Sequence, residues 1–386
     1  MRIGLVCPYH LFRGGGVQEC VKALRAEHEK RGHYAKIITP HPRDYKEAIP
    51  EHIITLGTSM STKVFAGTAW QWSVSVDTDA IDEVFEQEQF DVLHFHEPWI
   101  PFWSRQLVVR SKAAHVATMH GRFLDTMTAK TLTTVITPYT KPMIKYFDVF
   151  TAVSEPATDY FKTLSHRPVI IVPNAIDIEK YQNSPVSAIH HPKTKTILYI
   201  GRLENRKGLK YLLRAFELLA KRRKDVQLLI AGSGPDEKRL RQYVRDNKIS
   251  RVTFLGYISE EDKIYHLHKA DLFCSPAHYG ESFGIVLLEA MAAGCPIVAG
   301  DNVGYQSVMA DTGAISLVNP LDTVDFARRL ELMAFNQPLR DLWLTWAKDY
   351  VTQFNYGRIS QLYEDTYKLA INNHEKRIRP KNRFRL

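Results

Sequence analysis

Gly280-Glu281-Ser282-Phe283-Gly284-Ile285-Val286-Leu287-Leu288-Glu289-Ala290-Met291-Ala292-Ala293-Gly294 sets two carboxylates across what reads as the start of a helix. If Gly284 opens that helix, the backbone N–H groups of Ser282, Phe283, Gly284 and Ile285 gather at its positive end. Without intrahelical acceptors, they offer a seat to an anion such as a pyrophosphate. Eight helical steps rise about 12 Å, so Glu281 and Glu289 are expected to grip opposite ends of a ligand with a sugar on each side of that anion. The plainer reading is a pair of solvated carboxylates beside an alanine-rich packing face that ends in a glycine.

The chain around this stretch supports the first reading. Short apolar runs alternate with longer helical patterns from one end to the other, the signature of βαβ units and parallel sheets. Runs at 3–7, 35–39, 92–96, 115–119, 149–153 and 169–172 read as one series of strands. Runs at 196–200, 227–231, 253–255, 271–274, 296–299 and 315–317 read as a second. The polar stretch 183–192, with Pro185 and Pro192, suits a linker.

The expectation is therefore an α/β chain of two Rossmann-like domains, 1–183 and 184–350, their parallel sheets facing across a cleft. The aromatic-rich region 339–371 reads as helices, those within 351–375 packing back on the first domain. Val17, Val21 and Leu24 form the apolar stripe of one helix, and Leu209, Leu212, Leu213 and Phe216 that of another. Ser154 before Glu155-Pro156 reads as a helix cap with proline in the first turn.

Bulk composition narrows the class. The 386 residues are 45% hydrophobic and 24% charged, as in a soluble globular protein. Six of the nine net positive charges sit in 376–386 (Lys376, Arg377, Arg379, Lys381, Arg383, Arg385), leaving the body nearly balanced. This tail reads as a contact for an anionic membrane surface or as a solvated end. Nucleic acid is not expected as a partner, because no stacking platform accompanies the basic run.

Cys7, Cys20, Cys274 and Cys295 have neither metal-type spacing nor the number for a disulfide framework, which suits a reducing cytoplasm. No apolar run approaches the roughly 18 residues of a membrane span, so any membrane contact is expected to be peripheral, on the inner face.

Further candidate site residues fall at the carboxyl ends of the expected strands, where doubly wound folds bind ligands. Gly14-Gly15-Gly16 follows the first run and suits close backbone approach to a ligand or a plain turn; Glu19 stands where the dinucleotide fingerprint needs glycine. In Gly201-Arg202-Leu203-Glu204-Asn205-Arg206-Lys207-Gly208, Arg202 and Lys207 are placed to neutralise charge on a departing diphosphate. No D-x-D-like metal site suggests itself, and neither metal nor cofactor is expected.

Gly232-Ser233-Gly234-Pro235 either touches a nucleotide or only turns. His120, ahead of Gly121-Arg122, is a structural histidine or a group at the reacting centre. His96-Glu97-Pro98-Trp99 would line the acceptor side.

These residues together resemble the retaining glycosyltransferases of family 4, with the two-domain GT-B fold, over nearly the whole chain. The resemblance rests on Gly14-Gly15-Gly16-Val17-Gln18, His96-Glu97-Pro98, Gly201-Arg202 with Arg206-Lys207-Gly208, and the Gly280 to Gly294 string. With Arg2-Ile3-Gly4-Leu5-Val6-Cys7-Pro8-Tyr9, it is nearest the phosphatidylinositol mannosyltransferases.

It implies metal-independent transfer of a hexose, mannose from GDP-mannose, with retained configuration, to a lipid-linked or membrane-associated acceptor. The alternatives are a glucosyl- or N-acetylglucosaminyltransferase using a UDP-sugar, and a sugar-nucleotide epimerase on the same fold. By motif, Arg202 and Lys207 would hold the diphosphate with Gly15 and Gly16 alongside. Glu281 would take the sugar hydroxyls, Glu289 the ribose, and His120 would approach the sugar. Tyr9 and Gln18 match acceptor positions. The segment 61–88 departs from the mannosyltransferases, carrying one lysine, Lys63, among several acids.

Overall fold

The structure is a computed structural model that describes residues 1–12, 15–42, 45–63, 69–74, 77–99, 103–122, 127–183 and 194–378, with backbone only at 42, 59–63, 69–74 and 127–132. Gly14, most of the expected linker and the tail beyond 378 lie outside the described residues.

Two units emerge, Met1–Ala175 with Tyr356–Leu386, and Ile176–Asn355. The first holds an eight-stranded sheet in the order β4-β3-β2-β1-β5-β6-β7-β8. Its strands are β1 Arg2–Val6, β2 Tyr34–Pro42, β3 Ile53–Lys63, β4 Ala69–Val74, β5 Val92–His96, β6 Ala114–Met119, β7 Val149–Ala152 and β8 Val169–Ile171. All pairings are parallel except β3 with β4.

The second unit holds a six-stranded parallel sheet, β11-β10-β9-β12-β13-β14. Here β9 is Lys195–Ile200, β10 Val226–Ala231, β11 Val252–Gly256, β12 Leu272–Ser275, β13 Ile297–Gly300 and β14 Leu317–Val318. In each sheet the strand order reverses beside the unit's first strand, at β1/β5 and at β9/β12. Connections diverge there, and a crevice opens at the strands' carboxyl ends.

The helices follow their apolar periodicity. Leu209–Arg222 buries Leu209, Leu212, Leu213, Phe216 and Leu219 on one face. Gly16–Lys30 buries Val21 and Leu24, and Gly32 beyond it takes the left-handed φ of 84°. Ser154 caps a 3-10 turn, accepting from Ala157 N, with Pro156 in that turn.

The unit boundaries differ from the expected ones for a packing reason. Ile176 N donates to the carbonyl of Phe354 at 2.9 Å, and Tyr181, 4% exposed, donates to Glu260. The helix Ile178–Gln182 is thereby tied into the second unit. The aromatic helix Gln337–Tyr350 also stays there, whereas Tyr356–Ile378 returns to the first unit and seals its core with Ile359, Tyr363, Tyr367 and Ala370.

Candidate active site

In the second unit, three loops at the carboxyl ends of neighbouring strands lace together. Buried Tyr199 donates its hydroxyl to the carbonyl of Arg202 at 2.9 Å. Gly201 N reaches Ala231 O at 3.1 Å, and Leu203 N reaches Ser233 O at 2.9 Å. Gly208 has a φ of +72°, and a Cβ on it would lie 2.0 Å from the carbonyl oxygen of Pro276. Only glycine lets the Gly201 loop seat against the segment that follows β12.

That seating brings Glu281 onto two cations. Its Oε1 accepts from Lys207 Nζ at 2.8 Å and from Arg206 Nη1 at 2.6 Å. Arg206 also donates to the Gly280 carbonyl at 3.2 Å and pairs through Nε with Glu204 at 2.7 Å. Burial works against the Arg206 charge, but Glu281 and Glu204 outweigh it and raise its pKa. Arg202 is more peripheral: its side chain is about half exposed, with Nε 3.7 Å from Glu204.

Sequence reasoning thus named Lys207 and Glu281, which meet. Arg206 stands in the same motif, Arg206-Lys207-Gly208, but was given no role of its own.

The helix in the Gly280 string is shorter than its spacing suggested. It runs Ile285–Ala292, and Gly284, with φ 111°, precedes it without a side-chain cap. A Cβ at Gly284 would press within 2.7 Å of the Tyr305 ring. Because Gly284 interrupts the helical path, only the last four of the eight steps from Glu281 to Glu289 are helical, and the 12 Å rise does not apply. Leu287 N bonds to Gly284 O at 2.9 Å, while the N–H groups of Ile285 and Val286 have no intrahelical acceptor by construction.

Half-buried Ser282 lies in the approach to this end. The ring of Phe283 is buried, 6.0 Å from that of Phe354, so it anchors the loop and leaves only its backbone for a ligand. Glu289 accepts from Lys263 Nζ at 2.8 Å, and Lys263 pairs also with Glu260 at 2.9 Å. Lys263 was not legible as a site residue because it belongs to another helix, Glu260–Lys269. Gly232, with φ +131°, donates its N–H to Gly256 at 2.6 Å and would clash through a Cβ with Gly201 O at 1.9 Å. Its N–H is therefore spent on loop packing and not offered to a ligand.

In the first unit, Gly15 is the extended residue before the helix that starts at Gly16, again without a side-chain cap. Gln18, buried, folds back so closely that a Cβ on Gly15 would meet its Oε1 at 2.4 Å. Tyr9 accepts at its carbonyl from Thr39 Oγ1 at 2.9 Å. Burial and then the Glu97 carboxylate push its phenol pKa well up.

Glu97 Oε1 accepts from the backbone N–H of His120 at 2.7 Å and from that of Gly121. Burial raises the Glu97 pKa to about 7 against those two hydrogen bonds. Burial also lowers the pKa of His120 to about 4 despite a hydrogen bond that its ring donates to Asn174, leaving the ring neutral. Trp99 is 4% exposed, with Tyr160 and Phe161 at ring distances of 5.9 and 6.2 Å. Its indole is taken up by the core and not presented to an acceptor, because the strand end turns it inward.

Comparison with known proteins gives the chain a family. Residues 182–348 match the model described as glycosyl transferases group 1 and residues 14–180 the model for glycosyltransferase family 4. The phosphatidyl-myo-inositol mannosyltransferase of Mycobacterium leprae is 31% identical over 94% of this chain and 96% of its own length. A GDP-mannose-dependent monoacylated alpha-(1-6)-phosphatidylinositol monomannoside mannosyltransferase of Corynebacterium glutamicum is 32% identical over 50% of this chain and 54% of its own. Among solved structures, Anabaena HepE in complex with UDP and glucose superposes with a TM-score of 0.71 at 18% identity, covering 95% of this chain and 99% of that one. That likeness concerns the GT-B fold.

Proposed function

From the premise that this chain belongs to glycosyltransferase family 4, among the relatives of the phosphatidyl-myo-inositol mannosyltransferases, we propose that it moves mannose from GDP-mannose to a phosphatidylinositol-type lipid, with retention and without a metal. The observation that carries the donor half is the pair of cations, Lys207 and Arg206, converging on Glu281 beside the uncapped helix Ile285–Ala292.

As the bond from C1 to the leaving oxygen breaks, negative charge grows on the diphosphate. Lys207, Arg206 and Arg202, with the positive end of the helix, are fixed charges that stabilise it there. Glu281, released in part from its cations by the diphosphate, accepts from sugar hydroxyls. Glu289, held by Lys263, accepts from the ribose. Tyr9 and Gln18 serve the acceptor, and His120 stands by the transferred sugar. The names of the relatives support the hexose, nucleotide and lipid class.

The test is incubation with GDP-mannose, UDP-glucose and UDP-N-acetylglucosamine against phosphatidylinositol and a lipid extract, with products resolved by mass. Mannosylated lipid is expected from GDP-mannose alone. Lys207→Ala and Glu281→Gln are each expected to lower turnover by on the order of 100-fold or more while the chain still folds and melts cooperatively. Near-normal turnover in both would remove the assigned donor site.

No helix among the described residues is long and apolar enough to cross a membrane, and we assign lipid access to peripheral contact aided by the basic C-terminal run. Truncation after Ile378 keeps the pairing of Arg377 with Asp148 and is expected to weaken binding to anionic vesicles, more at low salt. Unchanged vesicle binding would clear the run of that role.

A further inference from the structure

We propose that His96 and Glu97, consecutive residues at the carboxyl end of β5, are positioning residues for His120, one holding its ring and the other its main chain. The inference rests on the reading that His120 serves the transfer.

Ring and main chain are held independently. His96 Nδ1 lies 2.8 Å from His120 Nε2, and the two rings stack at 5.1 Å. Glu97 has a left-handed φ of 50°, a conformation uncommon away from glycine and sustained only where surroundings enforce it. Its N–H still bonds to Thr118 O at 2.9 Å. The twist carries the carboxylate across to the end of β6, where one oxygen receives the N–H groups of both His120 and Gly121. The peptide planes on either side of His120 are thereby oriented.

The surroundings also decide which way the ring hydrogen bond runs. His96 lies in a buried polar stripe under the helix Tyr356–Ile378. His94 packs against it at a ring distance of 4.0 Å and is itself bonded to Tyr367 O–H at 2.8 Å and Thr118 Oγ1 at 2.5 Å. His96 Nε2 is buried with no partner among the described residues.

A proton on Nε2 would be a buried donor left unmet. A proton on Nδ1 is donated to His120 Nε2 and leaves only a lone pair without a partner, the less costly orphan. His120 Nε2 is then an acceptor, and its own proton resides on Nδ1. A neutral imidazole of one tautomer, in one orientation, is what a group beside a reacting sugar requires.

The experiment combines kinetics with imidazole 15N spectroscopy of the full-length protein, His120 being assigned by His120→Gln. In the wild type, His120 is expected to show protonated Nδ1 and bare Nε2 between pH 6 and 8, and His96→Leu to mix the tautomers. In the transferase assay, His96→Leu and Glu97→Leu are each expected to lower kcat by on the order of 100-fold while donor KM changes by less than about threefold, the signature of misplacement. His96→Asn returns an N–H near the place of Nδ1, and Glu97→Gln returns an acceptor oxygen. Both are expected to recover most of kcat.

A wild-type His120 protonated on Nε2 would overturn the assignment for His96. Normal kcat in Glu97→Leu, or failure of the conservative variant to outperform the leucine at either position, would overturn the brace there. If the wild type glycosylates no lipid, the functional reading fails, while the tautomer spectrum still decides the brace of the His120 ring.

Discussion

Two lysine–glutamate contacts, one in each unit, differ in what surrounds them, and the difference predicts what each substitution does. Lys263 and Glu289 are both mostly buried, at 15% and 14% side-chain exposure. Removing the lysine strands a carboxylate in poor solvent, so Lys263→Ala is expected to cost about 2–3 kcal/mol in urea unfolding. Lys22→Ala, which breaks the exposed pair with Glu19, is expected to cost less than about 0.5 kcal/mol. Equal costs would show that burial is not what makes the first pair matter.

Gly208 is a backbone counterpart. A methyl group there meets the rigid Pro276 carbonyl, and the φ of +72° adds strain. Gly208→Ala is therefore expected to lose about 3 kcal/mol and to lower transfer as well, since Lys207 is the preceding residue. A variant with native stability and native turnover would contradict both claims.

The helix Glu260–Lys269 shows how an element's own sequence places a remote contact. Ser259 Oγ accepts from Asp262 N at 3.0 Å, and Asp262 Oδ2 accepts in return from Ser259 N at 3.4 Å. This capping box starts the helix at the register that delivers Lys263 to Glu289. Ser259→Ala is expected to cost about 1 kcal/mol by urea unfolding, and no loss would mean the cap is idle.

Such local signals were readable, as were the alternating strand runs and the cap at Ser154. The hairpin of β3 and β4 was not. Ile53-Ile54-Thr55-Leu56-Gly57-Thr58-Ser59-Met60-Ser61-Thr62-Lys63 has no sustained apolar alternation. It becomes a strand because its neighbours supply partners, β2 on one side and β4 on the other. In the Gly280 string Gly284 does open the helix, but the eight-step rise from Glu281 does not hold: Gly284 sits at a φ of 111° where a Cβ would meet the Tyr305 ring, a neighbour the local pattern does not contain.

Over the whole molecule, protonation divides the two units. Burial lowers the pKa of His28, His115 and His120 to about 4 and those of His94 and His96 well below the usual value, and all five lie in the first unit. The unfolded chain takes up these protons below about pH 6.5 while the folded unit still refuses them, His28, His115 and His120 until about pH 4, so stability falls across that window on acidification. Glu97 acts oppositely. Its raised pKa means the folded unit keeps a proton the unfolded chain has lost, a contribution that fades as pH rises from the usual carboxylate range towards 7.

Five histidines outweigh one carboxylate, and the half-buried His266 and His278 of the second unit are shifted in the same direction with less burial. Calorimetry from pH 7 to pH 5 is expected to move the melting of the first unit down further than that of the second. Parallel shifts would refute the assignment of the acid-sensitive groups.

The sequence by itself determined two α/β series, the glycine loops at strand ends, and the types of charge gathered there, because periodicity and backbone freedom are local properties of the chain. Tertiary structure alone decided the partners. It set Arg206 and Lys207 on Glu281, gave Glu289 to Lys263, spent Gly232 on packing, buried Trp99 and braced His120. Glu281 and Arg206 are 75 positions apart, and a hydrogen bond forms only when donor and acceptor atoms approach within about 3 Å, a distance set by the packing of whole sheets and not by the spacing of residues along the chain.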